Sequence, residues 1–124
     1  MAERKLNGLR VLIVEDESMV SMLIEDMLME LGCEVAGTAT QIDEALQLIG
    51  SQPVDAAILD VNLGGRQTDV VADELVKRSI PFVFATGYGA AGLPKSFSKA
   101  LALQKPFQQR ELEHALSACV AAQP

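Results

Sequence analysis

Tryptophan is absent from this chain, tyrosine occurs once, at Tyr88, and aromatic residues make up only 4% of it. A surface that holds single-stranded nucleic acid by stacking bases on exposed rings has no material here. Cations are scarce too: 10 Lys and Arg stand against 17 Asp and Glu, for a formal net charge of −7. Affinity for a phosphate backbone comes from clustered basic side chains, and without such a cluster we expect no nucleic-acid partner. Cysteine is limited to Cys33 and Cys119, both in apolar settings and without C-x-x-C or metal-ligand spacing, which reads as buried reduced thiols rather than a disulfide or metal site. Long hydrophobic runs are also missing. The first apolar run, Val11 to Val14, ends in acids and is far too short for a signal-peptide core or a membrane span, so the expected setting is cytoplasmic, with no membrane partner. The single histidine, His114, has no Cys or His three or four residues away and reads as a solvated residue of the last helix.

What remains is the composition of one folded domain, 1–124, with 49% hydrophobic and 22% charged residues. Five short apolar runs recur: "VLIV" (11–14), "VAGTA" (35–39), "AAILD" (56–60), "FVFA" (82–85) and "ALAL" (100–103). Between them apolar residues fall at helical spacing: Val20, Leu23, Ile24, Met27, Leu28 and Leu31, then Ile42, Ala45, Leu46 and Ile49. Val71, Leu75 and Val76 continue the pattern, as do Leu112, Leu116, Cys119 and Val120. Such strand–helix alternation predicts a doubly wound α/β domain, a five-stranded parallel sheet covered on both faces. The fourth interval differs. Gly87, Gly89, Gly92 and Pro94 crowd it, and each glycine costs about 1 kcal/mol in a helix interior, so any helix there is expected to be short.

The polar residues gather at strand ends. The first run leads into Glu15 and Asp16, the third ends in Asp60, the fourth leads into Thr86, and the fifth into Gln104, Lys105 and Pro106. The second leads only to Thr38 and Thr40. Ligands of open α/β sheets sit beyond the carboxyl ends of the strands, and with spatial order 2-1-3-4-5, the flavodoxin-like arrangement, the acids, the hydroxyl and the lysine converge. Carboxylates ~4 Å apart repel by about 4 kcal/mol at an effective dielectric near 20, so a cation must compensate. Oxygen-only ligands with room for water and a phosphate suit Mg²⁺. Lys105 and Thr86 can bind phosphoryl oxygens, and the Asp60 carboxylate can attack phosphorus and hold it as an acyl phosphate.

With these residues in place the chain resembles response-regulator receiver domains over nearly its whole length. "VLIVEDE" is similar to the family's first strand with its acidic pair, "AAILDVNL" to the phosphoacceptor strand, "FVFATG" to the threonine strand and "LQKPF" to the Lys-Pro pair. The resemblance implies that Asp60 is the phosphoacceptor, that Glu15, Asp16 and Asp60 hold Mg²⁺ with the backbone carbonyl of Asn62, and that Thr86 and Lys105 bind the phosphoryl group. It further implies a cis bond before Pro106, a histidine kinase or histidine phosphotransfer protein as donor, and output through a downstream protein target. "PFVFATGY" is similar to a subgroup of stand-alone receivers, the FAT-GUY regulators, associated with bacterial stress signalling.

The chain also departs from the family pattern. "VNLGGRQTDVV" replaces the usual Met-Pro and Asp-Gly turn after the acceptor, which predicts a looser loop. Leu103 stands two residues before the lysine, where most members carry the aromatic switch residue, and Tyr88 is the candidate to take over that role beside Thr86. Two readings compete for Glu15 and Asp16, a helix N-cap pair and a metal site; the convergence with Asp60 favours the metal. Met27 reads as core, while Met19 and Met22 are open between packing and contact with a donor helix.

Two rival functions are a receiver excised from a longer regulator or hybrid kinase and an Asp-nucleophile phosphohydrolase. The hydrolase needs a second acid two residues after the nucleophile, where Asn62 stands. Within residues 1–124 the receiver leaves no room for an effector domain, so output by protein contact is expected. Gly87, Gly89 and Gly92 also fit G-x-G-x-x-G, but they follow the fourth strand, not the first, and Leu93-Pro94 breaks the helix start, which excludes a dinucleotide loop.

Overall fold

The computed structural model describes residues 6–87 and 92–121. "VLIV" lies within β1 (Arg10–Val14), followed by α1 (Ser18–Glu30), β2 (Glu34–Ala39), α2 (Ile42–Ser51) and β3 (Ala56–Asp60). A small hairpin, β4 (Asn62–Leu63) and β5 (Arg66–Gln67), leads into α3 (Asp69–Lys77) and β6 (Phe82–Thr86). A 3₁₀ turn (Lys95–Phe97), β7 (Ala102–Gln104) and α4 (Gln109–Ala121) complete the described chain. The main sheet is parallel with order β2-β1-β3-β6-β7, the expected 2-1-3-4-5 once the hairpin strands are set aside.

Because successive side chains of a strand point to opposite faces, each central strand feeds two layers. Val11 and Ile13 of β1, Ala56 and Ile58 of β3, and Val83 and Ala85 of β6 pack with Ile24 and Leu28 of α1 and Leu112 and Leu116 of α4. Leu12, Val14, Ala57, Leu59 and Phe84 pack on the other side with Ile42, Ala45 and Ile49 of α2 and Val71, Ala72 and Leu75 of α3. Both faces are thus covered, which is why the strand runs are continuously apolar instead of alternating. Met27 packs against the first layer as expected, whereas Leu23 and Val76, placed on the apolar stripes by their spacing, are each 58% exposed.

The last sheet strand differs from the sequence expectation. The run "ALAL" at 100–103 enters the sheet only from Ala102, and the strand continues to Gln104. Its register follows the neighbour: Phe84 pairs with Ala102 and Thr86 with Gln104, and the Lys105 amide then donates to the Thr86 carbonyl at 2.8 Å. Leu101 lies outside the strand and is 42% exposed. In the fourth interval the described residues include the short 3₁₀ turn Lys95–Phe97; Tyr88 and Gly89 lie outside the described residues.

The segment after Asp60 is not the loose loop expected from its departure from the family pattern. Asn62 pairs with Gln67 and Leu63 with Arg66 across an antiparallel hairpin. Its two turn residues, Gly64 and Gly65, have φ of 58° and 84°. Positive φ at both positions is what a two-residue hairpin turn of the right twist demands, and glycine meets it without a Cβ penalty.

Candidate functional site

Four strands deliver polar side chains to one edge of the sheet. Glu15 follows β1 and is 1% exposed, Asp60 ends β3, Thr86 ends β6 and is 3% exposed, and Lys105 follows β7. Carboxylate oxygens of Glu15, Asp16 and Asp60 lie within 4.8 Å of one another. Lys105 Nζ sits 2.8 Å from Glu15 Oε1 and 3.3 Å from Asp60 Oδ2. The pocket above them is lined by Asp16, Asp60, Asn62, Gly64, Thr86 and Lys105, among others, so the predicted residues are brought together.

Charge drives the chemistry of this arrangement. Burial, followed by the field of Glu15, raises the Asp60 carboxyl to about 6 from its ordinary 3.8, although Lys105 pulls it back down. Burial works to lower the Lys105 ammonium, but the hydrogen bond to Glu15 and the charges of Asp60 and Glu15 outweigh it and the net shift is upward. Three carboxylates against a single ammonium leave two negative charges. A divalent cation would cancel them, and the all-oxygen donor set suits a hard ion, so Mg²⁺ fits the residues present.

The competing N-cap reading of the acidic pair accounts for little of this. The N-cap residue of α1 is Glu17, and it makes no side-chain capping bond. Glu15 Oε2 does accept the Glu17 amide at 3.1 Å, while Asp16 Oδ2 accepts the Gly64 amide of the hairpin turn at 3.0 Å. Lys105 was expected to pair with a phosphoryl oxygen. In the structure it is already held by two carboxylates, so a phosphoryl contact from Lys105 is an exchange of partners rather than a wholly new bond.

Other expectations resolve individually. The Lys105–Pro106 bond is cis, as the resemblance implied. Leu103 is 6% exposed and part of the α1–α4 core layer. Met19 and Met22 are 77% and 61% exposed on α1. An apolar groove beside the site is lined instead by Val20, Leu23, Ile24, Met27, Pro106 and Phe107. Cys33 and Cys119 are free and buried, and His114 is exposed.

Thr68 went unnoticed in the sequence. It is fully buried, and its hydroxyl lies 2.7 Å from the Asp60 carbonyl and 3.2 Å from the Val61 carbonyl, while its amide donates to Val61 at 2.9 Å. A threonine ahead of an acid at a helix start carries the signal of an N-cap, and Thr68 does occupy the N-cap position of α3. Its side chain makes no capping bond, because it turns back to the end of β3.

Comparison with known proteins agrees with this geometry. The family model of the response regulator receiver domain matches residues 11–117. The chain is 34% identical over 116 residues to the transcriptional regulatory protein PdtaR of Mycobacterium tuberculosis, covering 90% of this chain and 57% of that protein. It therefore spans little more than half the length of that relative. Among solved structures, SdrG from Sphingomonas melonis Fr1 superposes with a TM-score of 0.82 at 41% identity, over 91% of this chain and 97% of that one. The PhyR stress response regulator superposes with a TM-score of 0.81 at 26% identity, over 99% of this chain and 50% of that one.

Proposed function

This chain belongs to the response regulator receiver domain family, and from that premise we propose that it is a phosphorylation-operated switch with Asp60 as the phosphoacceptor. The observation that carries the proposal is the convergence of Glu15, Asp16 and Asp60 within 4.8 Å around Lys105, at the strand ends where Thr86 also sits. A histidine kinase or histidine phosphotransfer protein is the donor. An Asp60 carboxylate oxygen attacks phosphorus, a P–O bond forms as the P–N bond breaks, and the imidazole nitrogen keeps the electron pair of that bond. Mg²⁺ held by Glu15, Asp16, Asp60 and the Asn62 carbonyl would neutralise charge on the phosphoryl oxygens. Glu15, buried and bonded to Lys105, anchors the lysine next to Asp60. Lys105 and Thr86 then hold the phosphoryl group.

The switch follows from this exchange. Charge-assisted bonds contribute about 1.5–3 kcal/mol each, and moving a population from 1:99 to 99:1 takes about 5.5 kcal/mol. Two full bonds just suffice, so the prior pairing of Lys105 makes this a switch of modest amplitude unless Tyr88 and the segment beyond Thr86 add to it. Output passes to a downstream protein target through the surface around residues 86–105, and the likeness to the PhyR stress response regulator favours a stress-response pathway. The apolar groove of α1 and Phe107, with Met19 and Met22 exposed on the same helix, is the surface on which a helical phosphodonor would dock.

Labelling by a small phosphodonor with and without Mg²⁺ tests the reading. Wild type takes label only with Mg²⁺, and Asp60→Asn takes none. Equal labelling of both proteins, or none of either, overturns it.

A further inference from the structure

We propose that Thr68 is a positioning residue for the phosphoacceptor loop, a role that rests on the phosphoacceptor reading of Asp60. The Thr68 hydroxyl reaches across the base of the hairpin to the carbonyls of Asp60 and Val61, at 2.7 and 3.2 Å, and its amide closes a second bond to Val61. These two carbonyls immediately precede Asn62, whose own carbonyl is the backbone ligand assigned to Mg²⁺. Holding both preceding peptides anchors the entry to the hairpin, and the pairing of Asn62 with Gln67 restrains the two dihedrals of Asn62 that then remain, which together set the direction of its carbonyl.

The far end of the hairpin is tied as well. Asp16 Oδ2 accepts the Gly64 amide at 3.0 Å, so one of the metal-site acids grips the turn while Thr68 grips the base. The hairpin thereby holds the Asp60–Asn62 backbone and the Asp16 carboxylate in one frame. Hydroxyl burial supports the assignment: Thr68 is 0% exposed, and a buried hydroxyl that neither caps its helix nor faces solvent is retained for the bonds it makes.

Valine matches threonine in shape and lacks the hydroxyl, so Thr68→Val isolates the bond. Outer-shell partners of metal ligands contribute 10–100-fold to affinity or activity. Thr68→Val is therefore expected to bind Mg²⁺ about 10-fold more weakly by calorimetry and to label about 10-fold more slowly at fixed Mg²⁺. Thr68→Ser, which keeps the hydroxyl, is expected to restore both to within about threefold, a rescue that a purely packing role of the threonine methyl would not give.

A measurement on the unaltered protein stands beside these. In a Mg²⁺ titration followed by amide NMR, the Val61, Asn62 and Thr68 amides shift together with one midpoint. Thr68→Val that binds and labels within twofold of wild type, or a Thr68 amide that stays still while Asn62 moves, overturns the inference alone. Wild type silent in both binding and labelling overturns the phosphoacceptor reading and this inference with it.

Discussion

Replacing Asp60 by Asn should stabilise the metal-free protein, the opposite of what deleting a buried polar group usually does. The wild-type carboxyl is raised to about 6 from 3.8, by burial first and by Glu15 second. An acid with a raised folded-state value binds more protons folded than unfolded between the two values, so its contribution to stability falls as pH rises from 3.8 to about 6 and stays low above that. At about 1.36 kcal/mol per unit the shift corresponds to about 3 kcal/mol, and because the pocket opens to water, screening reduces this to about 1–2 kcal/mol. Asparagine keeps the shape and removes the charge, and Lys105 retains its 2.8 Å bond to Glu15. In EDTA at pH 7.5, Asp60→Asn should therefore melt about 3–6 °C higher than wild type. The difference should shrink towards zero at pH 4, where both side chains are neutral. Adding Mg²⁺ at about 100 times its Kd should stabilise wild type by about 2.7 kcal/mol and the variant far less, reversing the order. Thermal melts followed by circular dichroism across pH 4–8, with EDTA or Mg²⁺, read all three effects. A variant no more stable than wild type in EDTA at pH 7.5, or a difference that does not change with pH, would refute the reasoning.

Three further outcomes follow from the same geometry. Lys105→Met removes the ammonium 2.8 Å from the Glu15 carboxylate, which is 1% exposed, and should lower stability by about 2–4 kcal/mol in urea titrations; a loss below about 0.5 kcal/mol would show that the buried pair contributes nothing. Gly65→Val forces a β-branched residue into φ of 84° and should lower the melting temperature through a loss of about 1–2 kcal/mol, while an unchanged melting temperature would mean that the turn does not need this conformation. Burial pushes the Cys119 thiol up to about 11 and raises Cys33 as well, so at pH 8 a disulfide reagent should modify both only as fast as the protein opens; rapid labelling of the folded protein would contradict their placement in the core.

Much of this molecule is legible in its sequence because the governing patterns are local or periodic. Unbroken apolar runs mark strands buried on both faces, and the side chains that follow Val14, Leu59, Ala85 and Gln104 must share one edge once the sheet is parallel. The convergence of Glu15, Asp16, Asp60, Thr86 and Lys105 needed only that rule. The boundary of β7 escaped it, because an edge strand of this length takes its limits from its neighbour β6, not from its own hydrophobicity. Leu23 and Val76 escaped for a related reason: they flank the apolar stripe of a helix, and period alone does not say where the stripe meets solvent.

The hairpin shows the more instructive failure. Measured against the family pattern, "VNLGGRQTDVV" reads as the loss of a turn, yet its glycine pair supplies a different turn, with both residues at positive φ and strands of two residues on either side. Nothing within so short a stretch could make it stable, since an isolated hairpin is marginal even when longer. Its closure comes from groups distant in sequence: Asp16 takes the Gly64 amide from the end of β1, and Thr68 turns away from its own helix to hold the Asp60 carbonyl. The loop that departs most from the family pattern is thus secured by one acid of the Glu15, Asp16 and Asp60 cluster and by the Asp60 backbone, and ordering at Asp60 and ordering of the hairpin become one event.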